Sequence, residues 1–314
     1  MKFLLLLSLA MLTAAGAPSS TALARSVFTP VLGKSVATGT VQHVVIIVQE
    51  NRSFDNLFNG YPGADTVAYG MVAGRGRVRL RPLSLAAPYG ISHLSRDFFA
   101  ACDGTARGRS CKMDGFDREV FAGAPRDLPY SFVPHDETKL YFEMAHDYVL
   151  ADRMFTSHLD ASFVSHQYII AGHAHHAVDL PAAQWGCPAA RYDRVPTLQP
   201  DRTYGPMESP CFNYSTIGDE LDANGLPWRY YADSGGGYIW LAYQAIRHIK
   251  DGPDWKTDAV TPSTRFFDDL KDGNLAAVTW ITPSCINSDH GGCGSTTGPH
   301  WVANLVNAIG ESPF

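Results

Sequence analysis

The stretch that most constrains this chain is Val41 to Asn59, VQHVVIIVQENRSFDNLFN. Val44 to Val48 is an unbroken apolar, β-branched run. That pattern predicts a strand buried on both faces, as in a parallel sheet. The run breaks at Gln49, Glu50 and Asn51, so an acid and an amide fall where a central strand ends. In open α/β sheets, ligands bind beyond the carboxyl ends of the strands. Ser53 then opens a helix whose apolar face is Phe54, Leu57 and Phe58.

The same alternation recurs further along. STIGDELDANG, residues 215–225, has a Ser/Thr start and an Asn-Gly stop for a helix, and PWRYY at 227–231 reads as the strand after it. AAVTWITP, residues 276–283, is another buried strand, and a helix follows over 300–308. Residues 136–150 form an amphipathic helix capped by Asp136, and 238–249 predict a further helix. Residues 61–80 read as loops with a hairpin, GRGR being a turn and not a phosphate loop. The pattern is α/β: a doubly wound, mainly parallel sheet with helices on both faces.

With 314 residues, 45% hydrophobic and 18% charged, the chain can bury the core of one large domain over 25–314. A net charge of -6 and the lack of a long basic run argue against a nucleic-acid partner. Met1 to Ala24 has a charged start, an apolar centre and an Ala22-Leu23-Ala24 cleavage site, the features of a signal peptide. No later segment has the length and apolarity of an integral membrane span, so a secreted or periplasmic protein is expected. The six cysteines lie in three sequence-local couples, Cys102/Cys111, Cys187/Cys211 and Cys285/Cys293, and proximity favours these as disulfides.

VVIIVQENRSFDNLF resembles the signature of the bacterial phosphoesterase family that holds non-specific phospholipases C and acid phosphatases, within the alkaline-phosphatase-like superfamily. The resemblance implies that Glu50 and Asn51 hold a divalent metal ion, for which oxygen donors favour Ca, Mg or Mn. It also implies a Ser or Thr nucleophile ten residues before a glycine. With Gly172 as that glycine, the nucleophile is Ser162, which would touch the metal too. The family's flanking Gly-Pro and Asn are not kept here. Ser165 stands where the Asn would be, and His166 or Gln167 can replace it as substrate-binding group. The alternative for Ser162 is a helix cap.

Lys112, Asp289 and His290 enter through the same resemblance, and His135 through its position alone. Lys112, in KMDGF, is a candidate for stabilising phosphate charge, or else a surface lysine beside a disulfide. His135 precedes the 136–150 helix and can reach a site from there. His290 is a candidate proton donor oriented by Asp289, the alternative being a disulfide-pinned turn. Trp228, Tyr230, Tyr231 and Trp240 are either core or the lining of a pocket for a cationic head group. The family's paired aspartate ligands after a later strand have no counterpart, so the resemblance covers the first part of the family's domain. A phosphate ester or phospholipid substrate is expected. The alternative is a truncated, catalytically impaired phosphoesterase-like protein that binds ligands.

Overall fold

The computed structural model describes residues 41–105, 107–119, 124–125, 127–188, 193–233 and 240–314. The signal-peptide expectation therefore lies outside the described residues. In chain order the strands are β1 Val44–Ile47, β2 Tyr69–Val72, β3 Gly76–Arg79, β4 Arg81–Pro82, β5 Ser131–Phe132, β6 Trp228–Tyr231, β7 Ala259–Val260 and β8 Val278–Ile281. The α-helices are α1 Phe54–Leu57, α2 Ser95–Cys102, α3 His135–Asp147, α4 Ser162–Ala171, α5 Ile217–Ala223, α6 Arg247–Lys250, α7 Asp254–Thr257, α8 Arg265–Lys271 and α9 Gly298–Glu311.

The central sheet has the order β1-β8-β6-β7, and every pairing in it is parallel. Side-chain alternation along the strands builds two cores. Tyr230, Trp280 and Ile46 face one side, where α4, α5 and α6 contribute Phe163, Ile170, Leu221 and Ile249. Tyr231, Ile281, Val45 and Ile47 face the other, against Phe266 and Leu270 of α8 and Trp301 and Leu305 of α9. Helices thus cover both faces, as the strand pattern predicted. In the first core Trp228, Tyr230, Tyr243 and Trp280 pack ring against ring, with Tyr230 and Trp280 stacked at 6.1 Å. Trp228, Tyr230 and Tyr231 are core residues, not pocket lining.

Several local expectations need revision. β1 is only half-buried, and Val44 is exposed, because β8 is its one neighbour in the sheet among the described residues. The third helix begins at His135 and ends at Asp147, with Pro134 and not Asp136 in the capping position. Tyr148 turns extended, which leaves Val149 on the surface and not in the core. The continuous helix expected over 238–249 is broken: residues 234–239 lie outside the described residues, Ala242–Ala245 is a 3-10 turn, and Ile246 is extended before α6.

Other local signals hold. Ser53 caps α1 by accepting from the Asn56 amide. Thr216 and Asp219 form a reciprocal capping box on α5. Residues 69–79 are an antiparallel hairpin. All three local disulfides are present. No described helix is long and apolar enough to cross a membrane.

Candidate active site

The segment leaving β1 carries Glu50 and Asn51 to the carboxyl end of the sheet. The segment after β8 brings Asp289 and His290 to the same end, as parallel strand order requires. Ser162 arrives from elsewhere, as the first residue of α4. The capping position belongs to Ala161, which makes no side-chain cap, so Ser162 is not the helix cap. Its hydroxyl instead donates to Glu50 Oε1 at 2.7 Å, a contact 112 residues apart in sequence.

Glu50 is the centre of the cluster and only 8% exposed. A buried carboxylate is costly unless it is paired and hydrogen-bonded. Here His166 Nε2 lies 3.2 Å from Oε2, and His290 Nε2 lies 3.7 Å from Oε1. Burial pushes the Glu50 carboxyl up, but the His166 bond and charge, the Ser162 bond and the His290 charge outweigh it together. The carboxyl ends below its ordinary value. Glu50 is therefore ionised and set against a hydroxyl.

The surrounding imidazoles are themselves positioned. His166 Nδ1 lies 3.3 Å from the Tyr230 hydroxyl, which in turn donates to Trp240 O. His290 Nδ1 donates to Gly291 O at 2.7 Å. The Asn51 amide donates to His93 Nδ1 at 3.3 Å. Burial holds His93 below its usual value, and the nearby His290 adds to that. Asp160, two residues before Ser162, is pushed up to about 8 by burial despite accepting from the Ala161 and Asp179 amides.

Part of this cluster opens on a cavity of about 720 Å³, which Gly291 lines but His290 and Tyr230 do not. Glu50, Asn51, Arg52, His93, Asp160, Ser162 and His166 form its polar end. Val67, Tyr69, Met71, Leu83, Ile91 and Met113 form apolar wall, supplied largely by the hairpin and the segment before α2.

Of the residues expected from sequence, Glu50, Asn51, Ser162, His166 and His290 are brought together. Asp289 is adjacent but does not orient His290. Its carboxylate turns away to accept from the Tyr141 hydroxyl at 2.7 Å, and Gly291 O takes the orienting role. Burial raises the Asp289 carboxyl to about 6, with the Tyr141 bond opposing. Gly298 at the start of α9 is required there, since a Cβ would sit 2.1 Å from Asp289 Oδ1. Lys112 is not at the cavity: exposed, it pairs with Asp103 at 3.2 Å, where Arg118 also bonds. His135 is likewise outside, bonded to Asn59 O at 2.7 Å and packed near Phe142.

Sequence reasoning missed His93, Tyr230 and Asp160 as members of the cluster. Asp160 sits where the family pattern carries Gly, which was its one available signal. His93 lies in a segment without periodicity.

Whether these residues fit a divalent metal is a question of donor chemistry. Glu50, Asn51 and Ser162 give a carboxylate, an amide and a hydroxyl oxygen side by side, the hard donors such an ion prefers. They supply one side of a coordination shell. Among the described residues, no three His, Cys, Asp or Glu side chains converge as a ligand set.

The polar cluster of Glu50, Asn51 and Ser162 lies beyond the carboxyl ends of a parallel sheet, where α/β proteins bind their ligands. The model of the phosphoesterase family matches residues 41–314, and the chain belongs to that family. It is similar to a non-hemolytic phospholipase C of Pseudomonas aeruginosa, 25% identical over 298 residues. That alignment takes in 87% of this chain and 40% of the relative, so the chain spans less than half of that protein's length.

Proposed function

We propose that the chain is a secreted or periplasmic hydrolase of phosphoric esters in which Ser162 is the nucleophile. The observation that carries this is the 2.7 Å hydrogen bond from Ser162 Oγ to the ionised, buried Glu50. A serine hydroxyl is a weak nucleophile unless a neighbouring group takes its proton. Glu50 is placed to do so.

In this reading Ser162 Oγ attacks phosphorus while its proton passes to Glu50, and the ester P–O bond breaks. His290 protonates the departing alkoxide, and a water molecule then hydrolyses the phosphoserine, returning Ser162 and inorganic phosphate or a phosphomonoester. His166 and Tyr230 hold the Glu50 carboxylate in register. A divalent ion held by Glu50, Asn51 and Ser162, with Ca, Mg or Mn favoured, would lower the hydroxyl pKa and offset phosphate charge. The apolar wall of the cavity favours an ester with an apolar leaving group, in keeping with the phospholipase C relative. The three disulfides suit an oxidising compartment.

The test is hydrolysis of p-nitrophenyl phosphate and p-nitrophenylphosphorylcholine by residues 25–314, with and without added divalent metal. The expected outcome is metal-stimulated turnover, with the preferred ester marking phosphatase or phospholipase. Folded protein with no turnover of either ester under any metal refutes the catalytic reading, and leaves a ligand-binding member of the family.

A further inference from the structure

The sequence offered Lys112 as the cation for a bound phosphoryl group, and the structure puts that lysine on the surface in a pair with Asp103. A different cation stands at the cavity. Arg52 follows Glu50 and Asn51 directly, and it is the one Lys or Arg among the described residues lining the cavity. Its guanidinium is held from one side only. Nε donates to the Asp289 backbone oxygen at 2.9 Å, and Nη2 is buried with no hydrogen-bond partner among the described residues.

A guanidinium that lines a binding cavity and closes no salt bridge is a reason to look for an anionic ligand. The nearest carboxylates that act on Arg52 are Asp289 and Glu137. Neither closes a salt bridge with it: Glu137 bonds Ser84 and the Leu85 amide, and Asp289 bonds Tyr141. A guanidinium at the cavity wall, tethered through Nε and free of any salt bridge, carries the charge and donors that a phosphoryl group is bound by.

We infer that Arg52 is the group that anchors the anionic phosphoryl oxygens of the substrate in this cavity, the task the sequence pattern suggested for Lys112. The inference rests on the reading of the cavity as a phosphoester site. It adds a substrate-binding residue to the cluster of Glu50, Ser162 and the histidines. The tether to Asp289 O gives that buried acid segment a purpose: it fixes the direction of the guanidinium as α9 and β8 fix Asp289.

The test is isothermal titration of wild-type residues 25–314 with inorganic phosphate, beside R52M, R52K and K112M. R52M is expected to weaken phosphate binding by about tenfold or more, the loss of a charge-assisted hydrogen bond. R52K should fall in between, since an ammonium keeps the charge without the fork. K112M, on the surface away from the cavity, should bind as wild type does. Folded R52M with wild-type phosphate affinity overturns the inference. If R52M does not fold, a crystal structure of the wild type at saturating phosphate decides: an anion bonded to the Arg52 guanidinium supports it, and an anion elsewhere or none overturns it. Arg52-dependent phosphate binding without ester turnover would refute the catalytic reading alone. Turnover with R52M-insensitive phosphate binding would refute this inference alone.

Discussion

Replacing Glu50 by Gln keeps the shape of the side chain and removes its charge. In the native site the carboxylate accepts from Ser162 at 2.7 Å and lies 3.2 Å from His166 and 3.7 Å from His290. A Gln has one acceptor oxygen in place of two. If that oxygen keeps Ser162, its NH2 faces His166 Nε2; if it keeps His166, a donor faces the Ser162 hydroxyl. Either way a neutral hydrogen bond replaces a charge-assisted one, a loss of roughly 1 kcal/mol. In the proposed mechanism the substitution removes the group that takes the serine proton, for which a loss of about a hundredfold or more in kcat is expected. That corresponds to at least ~2.7 kcal/mol of activation free energy. The assay is kcat and KM with the preferred p-nitrophenyl ester, beside urea unfolding of both proteins. A folded Gln variant with kcat within about threefold of wild type would refute the argument, because no account that centres the site on this carboxylate survives it.

Two further predictions concern stability. Glu119 is buried and its carboxyl is pushed up to about 8, by desolvation first and then by the charge of Asp97. Its folded-state pKa lies above the unfolded one, so its contribution is full below about pH 4.5, falls as pH rises towards 8, and is flat beyond. Glu119→Gln should therefore gain at most ~3 kcal/mol over wild type at pH 7 and little at pH 4, read by urea unfolding at both values; an equal shift at the two would contradict it. Trp280 is fully buried, with an indole N–H that has no partner among the described residues. Trp280→Phe gives up packing but also the orphaned donor, so it should cost under ~2 kcal/mol, whereas Trp280→Ala should cost about 3–5. Similar costs for the two, by the same unfolding measurement, would show that the buried N–H carries no penalty.

What the sequence made legible was whatever was written locally. The β1 run, its abrupt polar end and the Ser53 cap lie within about fifteen residues, and each is a direct consequence of periodicity or capping chemistry. The α5 capping box and the three short-range disulfides were readable for the same reason. The core site residues Glu50, Asn51, Ser162 and His290 came from the spelling of the motifs, not from periodicity. What remained hidden depended on approach in three dimensions. The Tyr230 hydroxyl meets His166 across 64 residues, and Tyr141 meets Asp289 across 148, with nothing in either segment to announce it. Helix α2 was unreadable because Leu94 supplies no polar cap. Lys112 was misplaced because Asp103, nine residues upstream and beside the same disulfide, holds it at the surface. Arg52 stood in plain view between Asn51 and Ser53. Its meaning needed the knowledge that no other Lys or Arg among the described residues lines the cavity.

The central claim is that Ser162 attacks phosphorus and carries the phosphoryl group. The most direct measurement is rapid acid quench during turnover of the preferred p-nitrophenyl ester, followed by mass spectrometry of the peptide containing Ser162. The account predicts a phosphorylated Ser162 that accumulates with a burst of p-nitrophenol and is absent from Ser162→Ala. Turnover with no phosphopeptide, and a Ser162→Ala variant as active as wild type, would contradict it.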